Sequence, residues 1–192
     1  MGNYQKIAND HIRDDHERGT GSNDKRTRRA SNLADLEGNV DKAVDNMEAI
    51  IFAAGSGPKT GPDKTTAVDK NGAIKLVDAS KKKGFERFVM LSSVGSDNPE
   101  QAQEEMRHYL EEKHDADEHL KASGLTYTIV RPVTLTNEQA IGKIFADEKV
   151  DHTDKSIPRA DVSPFLPNLS QRIKRSIKHS KYSPAPSQSR WP

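Results

Sequence analysis

Hydrophobic and polar positions divide the chain into three textures. Residues 1–32, "MGNYQKIANDHIRDDHERGTGSNDKRTRRASN", mix both charges with Gly, Asn and Ser and show neither an apolar run nor a period. Such a segment buries too little surface to offset its ordering entropy, so it is expected to be poorly structured. From Leu33 to Val162 the pattern sharpens. The run "EAIIFAAG" (48–55), closed by glycine, predicts a buried parallel strand. "KTTAVDKNGAIKLVDASKKKG" (64–84) sets Val68, Leu76 and Val77 at helical spacing, gathers lysines in its last turn and stops at Gly84. "RFVMLSS" (87–93) predicts a second strand, a helix follows over 99–123 and ends at Gly124, and "LTYTIVRP" (125–132) predicts a third strand. Strand, helix, strand, helix, strand with right-handed crossovers is an α/β fold with a parallel sheet and flanking helices. In residues 163–192 the order is lost. Arg172, Lys174, Arg175, Lys178, Lys181 and Arg190 accumulate among Ser and Pro, and no acidic residue follows Asp161. This zone reads as a solvated basic tail, with phosphate binding the weaker reading.

Composition narrows the function classes. The 192 residues suffice for one domain, but only 32% are hydrophobic, so part of the chain is expected not to pack. The net charge of +1 argues for neither nucleic acid nor an anionic membrane as partner. The absence of cysteine excludes disulfides, thiolate catalysis and cysteine-based zinc sites. No apolar run approaches the roughly 18 residues that span a bilayer, and the polar start has no signal-like core. A soluble, cytoplasmic protein is expected.

Open α/β sheets bind ligands beyond the carboxyl ends of their strands. The predicted strands end on Ala53, Ala54 and Gly55, on Ser92 and Ser93, and on Arg131 and Pro132. Small residues there admit a flat ligand, and hydroxyls can bond a carbonyl or an alcohol. Tyr109 and Lys113 stand four apart in "MRHYLEEKHDADEHL" and share a helix face. An ammonium on that face would favour the phenolate, making the pair a general acid or base. The same spacing also arises by chance on a charged, solvated helix. His108, His114 and His119 lack the spacing of a metal motif and read as surface. The glycines of "GSGPKTG" follow a strand but lack the ending of a phosphate-binding loop.

The ordered blocks "LADLEGNVDKAV", "IIFAAGSG", "TTAVDKNGAIKLVDAS", "RFVMLSSVGSDNP", "YLEEKHDADEHLKASGLTYTIVRPVTLTNE" and "SIPRADV" resemble the atypical, NmrA-like or epimerase-like bacterial short-chain dehydrogenase/reductases. The resemblance covers most of residues 33–162 and implies a Rossmann-like NAD(P)-binding domain. It implies that Tyr109 is the proton donor or acceptor, that Lys113 assists it and holds the nicotinamide ribose, and that Ser93 bonds the reacting oxygen. Asp69 matches a position where other members carry asparagine. Ala53, Ala54 and Gly55, with Ser92, would lie along the cofactor, and Pro132, Val133 and Thr134 near its nicotinamide end. The cofactor implied is NADP ahead of NAD, and the partner a small carbonyl or alcohol. The alternative is a non-catalytic cofactor-sensing or interaction protein, or a family remnant without cofactor.

Two departures from the family pattern stand out. No Gly-x-x-Gly-x-x-Gly turn opens the chain, so a truncated sheet without its first strand, that strand's helix and the second strand is expected. After Asp161 the family's closing helix and strand are missing. One set of synonymous codons for Pro167–Pro192 encodes such a strand in a shifted frame, so the tail is expected to be an out-of-frame reading, which the coding DNA would test.

Overall fold

The computed structural model describes residues 4–7, 36, 38–45, 47–84, 87–148, 155–171 and 179–183. Four strands pair in parallel and in chain order: β1 (Tyr4–Ile7), β2 (Ala49–Phe52), β3 (Arg87–Leu91) and β4 (Thr126–Pro132). The sheet continues through β8 (His179–Ser183), parallel to β4, to β6 (Phe145–Asp147), antiparallel to β8. Two short strands, β5 (Thr134–Thr136) and β7 (Ser156–Pro158), form a separate parallel pair. Helical turns α1 (Pro62–Thr65), a π-helical stretch (Thr66–Gly72) and α2 (Ala73–Lys83) run from β2 toward β3. Helix α3 (Glu104–Ala122) connects β3 to β4, and α4 (Arg159–Gln171) follows β7. Among the described residues no helix is long and apolar enough to cross a membrane.

Successive residues of a strand face opposite sides of its sheet, and the central strands are apolar on both. Ile50, Phe52, Phe88, Met90 and Ile129 pack against Leu76 and Val77 of α2 and Ala116 and Leu120 of α3. Ile51, Val89 and Val130 face the other way, onto Val162, Leu166 and Leu169 of α4. The sheet is therefore sandwiched, as the runs of apolar residues predicted. Helix α2 stops where expected: Gly84 adopts φ 75°, and its N–H donates to the carbonyls of Lys81 and Ser80.

Three expectations change. Within the stretch expected to be poorly structured, Tyr4–Ile7 forms β1, so the sheet does not begin at β2. A strand this short draws its order from the ladder offered by β2, a contribution that local composition does not carry. The rest of residues 1–32 lies outside the described residues. Order also persists past Val162: α4 continues to Gln171, and β8 lies in the segment read as tail. Val162, Leu166 and Leu169 form an apolar stripe at helical spacing, which Pro164 and Pro167 conceal because proline reads as a helix breaker. Lastly, the helix expected over 99–123 starts at Glu104, after a short 3-10 turn at Pro99–Gln101.

Candidate functional site

Three carboxyl-terminal strand ends and the start of α3 meet at one edge. Helix α3 returns the chain from β3 to a parallel β4, so it runs against the strands and its amino-terminal half lies at their carboxyl ends. Lys113, only 3% exposed, reaches the last residue of β3, its Nζ donating to the Leu91 carbonyl at 3.4 Å. The same Nζ lies 2.9 Å from Asp69 Oδ1, and Asp69 is 1% exposed. The other oxygen of Asp69 accepts the Ser56 N–H at 2.9 Å, just beyond β2. Asp69 sits in the π-helical stretch, whose wide turn is the type of irregularity that aims side chains at sites. A Cβ on Gly55 would stand 3.1 Å from Asp69 Oδ1, so glycine lets the carboxylate approach the strand end.

The ammonium is also flanked by rings. Lys113 Nζ is 5.8 Å from the centroid of Tyr109 and 6.0 Å from that of Phe52, at the outer range of cation–π attraction. Burial pushes Lys113 toward the neutral amine, but Tyr109, Asp69 and Asp117 outweigh that loss of water and hold it above the ordinary lysine value. Lys113 is thus held as a buried cation through the neutral range. Tyr109 above it is half-buried, and its hydroxyl has no hydrogen bond among the described residues.

The other expected residues divide. Ala53 is half-buried and Ala54 buried at the end of β2. Ser93 is half-buried, its hydroxyl donating to the neighbouring Val94 carbonyl at 3.2 Å. Ser92 turns inward instead, its Oγ 2.9 Å from Asp117 Oδ2. Pro132 and Val133 are buried, whereas Thr134 is exposed at the start of β5. Asp117 and Arg131 form a second buried pair, Nη2 to Oδ2 at 2.9 Å, which sequence reasoning did not assemble. The signal was present: Asp117 lies four residues beyond Lys113, and Arg131 is the charged residue of a buried strand, where a cation requires a counter-charge.

The three histidines of α3 serve separate partners. His108 Nε2 is 3.3 Å from the Pro62 carbonyl, His114 Nδ1 is 2.7 Å from the Ser96 carbonyl, and His119 Nε2 is 2.7 Å from Asp78 Oδ1. Among the described residues no group of three or more His, Cys, Asp or Glu is placed to hold a metal.

A family model of NAD(P)H-binding proteins matches residues 12–171. The chain belongs to the NAD(P)H-binding family. The match runs through α4, nine residues past the boundary drawn from the apolar pattern at Val162. The chain is 44% identical over 122 residues to the uncharacterized sugar epimerase YhfK of Bacillus subtilis, covering 62% of this chain and 57% of that protein. A Bacillus halodurans structure, under the provisional name NAD-dependent epimerase/dehydratase, superposes with a TM-score of 0.75 at 41% identity, covering 80% of this chain and 72% of its own. The oxidoreductase ylbE of Lactococcus lactis gives 0.65 at 31% identity, covering 76% of this chain and 65% of its own. The chain thus spans less than two thirds of the length of YhfK.

The residues at the strand edge fit the nicotinamide half of such a cofactor. Small side chains follow β2, a tyrosine hydroxyl is unengaged by its described neighbours, and a cation paired with Asp69 lies below it. At the pyrophosphate end, a glycine turn directly after β1 would supply backbone N–H groups. The sequence has no glycine between Ile7 and Gly19, and that stretch lies outside the described residues.

Proposed function

We propose that this protein is an NAD(P)-dependent reductase or epimerase-like enzyme whose acid/base group is Tyr109. The observation that carries this reading is the buried Lys113 ammonium, paired to Asp69 at 2.9 Å and 5.8 Å from the Tyr109 ring. An unengaged hydroxyl held beside a fixed cation is placed to exchange a proton with a bound oxygen. When bound, the cofactor supplies hydride transfer. Lys113 would hold the nicotinamide ribose, Ala53 to Gly55 would leave room along the strand end, and Pro132 to Thr134 would border the nicotinamide. Ser93 bonds the reacting oxygen of a small carbonyl or alcohol. The name of YhfK supports a sugar as the substrate class.

Titrating NADPH into protein carrying carbon-13 tyrosine tests the placement. Of the four tyrosine signals, the one that Tyr109→Phe removes is expected to shift most, while Tyr127, on β4, stays still. A response confined to other tyrosines would reject this site.

A further inference from the structure

Asp117 and Arg131 carry buried charges, 0% and 3% exposed, that the proposed proton transfer does not use. Asp117 Oδ2 gathers donors from Arg131 Nη2 at 2.9 Å and Nε at 3.2 Å, with Ser92 Oγ at 2.9 Å and Ser96 Oγ at 3.0 Å. Its Oδ1 is buried with no hydrogen-bond partner among the described residues. A pair with one desolvated, unanswered oxygen is a poor means of stabilising a fold, and apolar side chains in its place do about as well. Its effect is local. Ser92 and Ser96 belong to the turn that follows β3, and Arg131 Nε also donates to Ser96 Oγ at 2.8 Å. His114 Nδ1 meets the Ser96 carbonyl at 2.7 Å, so this nitrogen carries the proton. Gly95 takes φ 88°, where a Cβ would stand 3.2 Å from Leu110 Cδ1. The turn is therefore tied to α3 by Asp117, His114 and Leu110, and to β4 by Arg131.

That same turn carries Ser93, whose hydroxyl, among the described residues, reaches only its neighbour's carbonyl. Tyr109 and Lys113 lie on the preceding turns of the helix that holds it. We infer that Asp117 and Arg131 are positioning residues that fix the serine-bearing turn on α3, so that Ser93 and Tyr109 keep one relation at the strand edge. This role rests on the proposed acid/base role of Tyr109.

Three proteins compared by thermal melting, amide exchange and the NADPH response of the Tyr109 signal decide the matter. Asp117→Asn leaves Arg131 buried without its counter-charge and is expected to melt about 10 °C lower. The double variant Asp117→Leu with Arg131→Met is expected to regain most of that loss. The amides of Ser96 and Asn98, which donate to the carbonyls of Ser93 and Gly95, are nevertheless expected to exchange at least about tenfold faster than in the natural protein. The shift of Tyr109 with NADPH is expected to fall by about half or more. Recovered melting with exchange as slow as the natural protein's would reduce the pair to packing and overturn the inference. So would a double variant that melts as low as Asp117→Asn, because the pair would then be a stability element. Fast exchange with an unaltered Tyr109 response would separate the turn from the site and overturn the inference as well. A natural protein whose Tyr109 ignores NADPH would reject the acid/base reading itself and the positioning role with it. The exchange rates would still report whether the pair orders the turn.

Discussion

Replacing Lys113 with methionine is expected to cost about 3–5 kcal/mol, because the Asp69 carboxylate would stay in the interior with its cation gone. Asp69 is 1% exposed, and the Ser56 N–H would be the only donor to its carboxylate among the described residues. In a chain of this size that loss lowers the melting midpoint by about 10 °C. The pH dependence carries a second signature. The folded-state value of Lys113 lies above the ordinary 10.5, so its ionic contribution is complete below that pH and is lost as pH rises through the folded value. Lys113→Met should therefore lose stability throughout the neutral range and lack this alkaline decline. Pairing it with Asp69→Leu removes the stranded carboxylate and should restore most of the melting temperature without restoring cofactor affinity. A single variant melting within about 2 °C of the natural protein would show that the pair is not a desolvated one.

Tyr109→Phe is expected to leave the fold and cofactor affinity nearly unchanged while removing turnover. Its ring stays over the Lys113 ammonium, 5.8 Å from centroid to Nζ in the natural protein, and its hydroxyl has no described partner to lose. The missing proton transfer should lower the rate by about 10²–10⁴-fold. The assay follows NADPH consumption at its nicotinamide absorbance across nucleotide sugars and simple aldehydes. The affinity for NADPH should hold within about twofold, which separates loss of chemistry from loss of binding. Turnover unchanged in the variant would reject the acid/base assignment.

These residues were legible to different degrees. The central strands were readable because both of their faces are covered, which leaves near-continuous apolar runs such as Ile50–Phe52 and Phe88–Leu91. Tyr109 and Lys113 were readable as one helix face from their spacing, and Asp69 from family resemblance. That Asp69 meets Lys113 required the fold, since 44 positions separate them and a π-helical turn aims the carboxylate. Asp117 was hidden by its surroundings: in a helix rich in Glu, Asp, Lys and His, a fully buried aspartate looks like its solvated neighbours. Helix α4 was hidden by Pro164 and Pro167, and β8, "HSKYS", by having no apolar run at all. Its order depends on pairing with β4 on one side and β6 on the other, a tertiary effect with no local signature.

A nicotinamide cofactor is proposed to bind this chain at the edge where Lys113 and Tyr109 meet. Its most direct test is a titration of the natural protein with NADPH and NADH, following nicotinamide fluorescence, with Lys113→Met in parallel. Saturable binding below about 1 mM to the natural protein, weakened at least about tenfold in the variant, is the expected result. No binding of either cofactor at several times that concentration, or equal binding by both proteins, would contradict it.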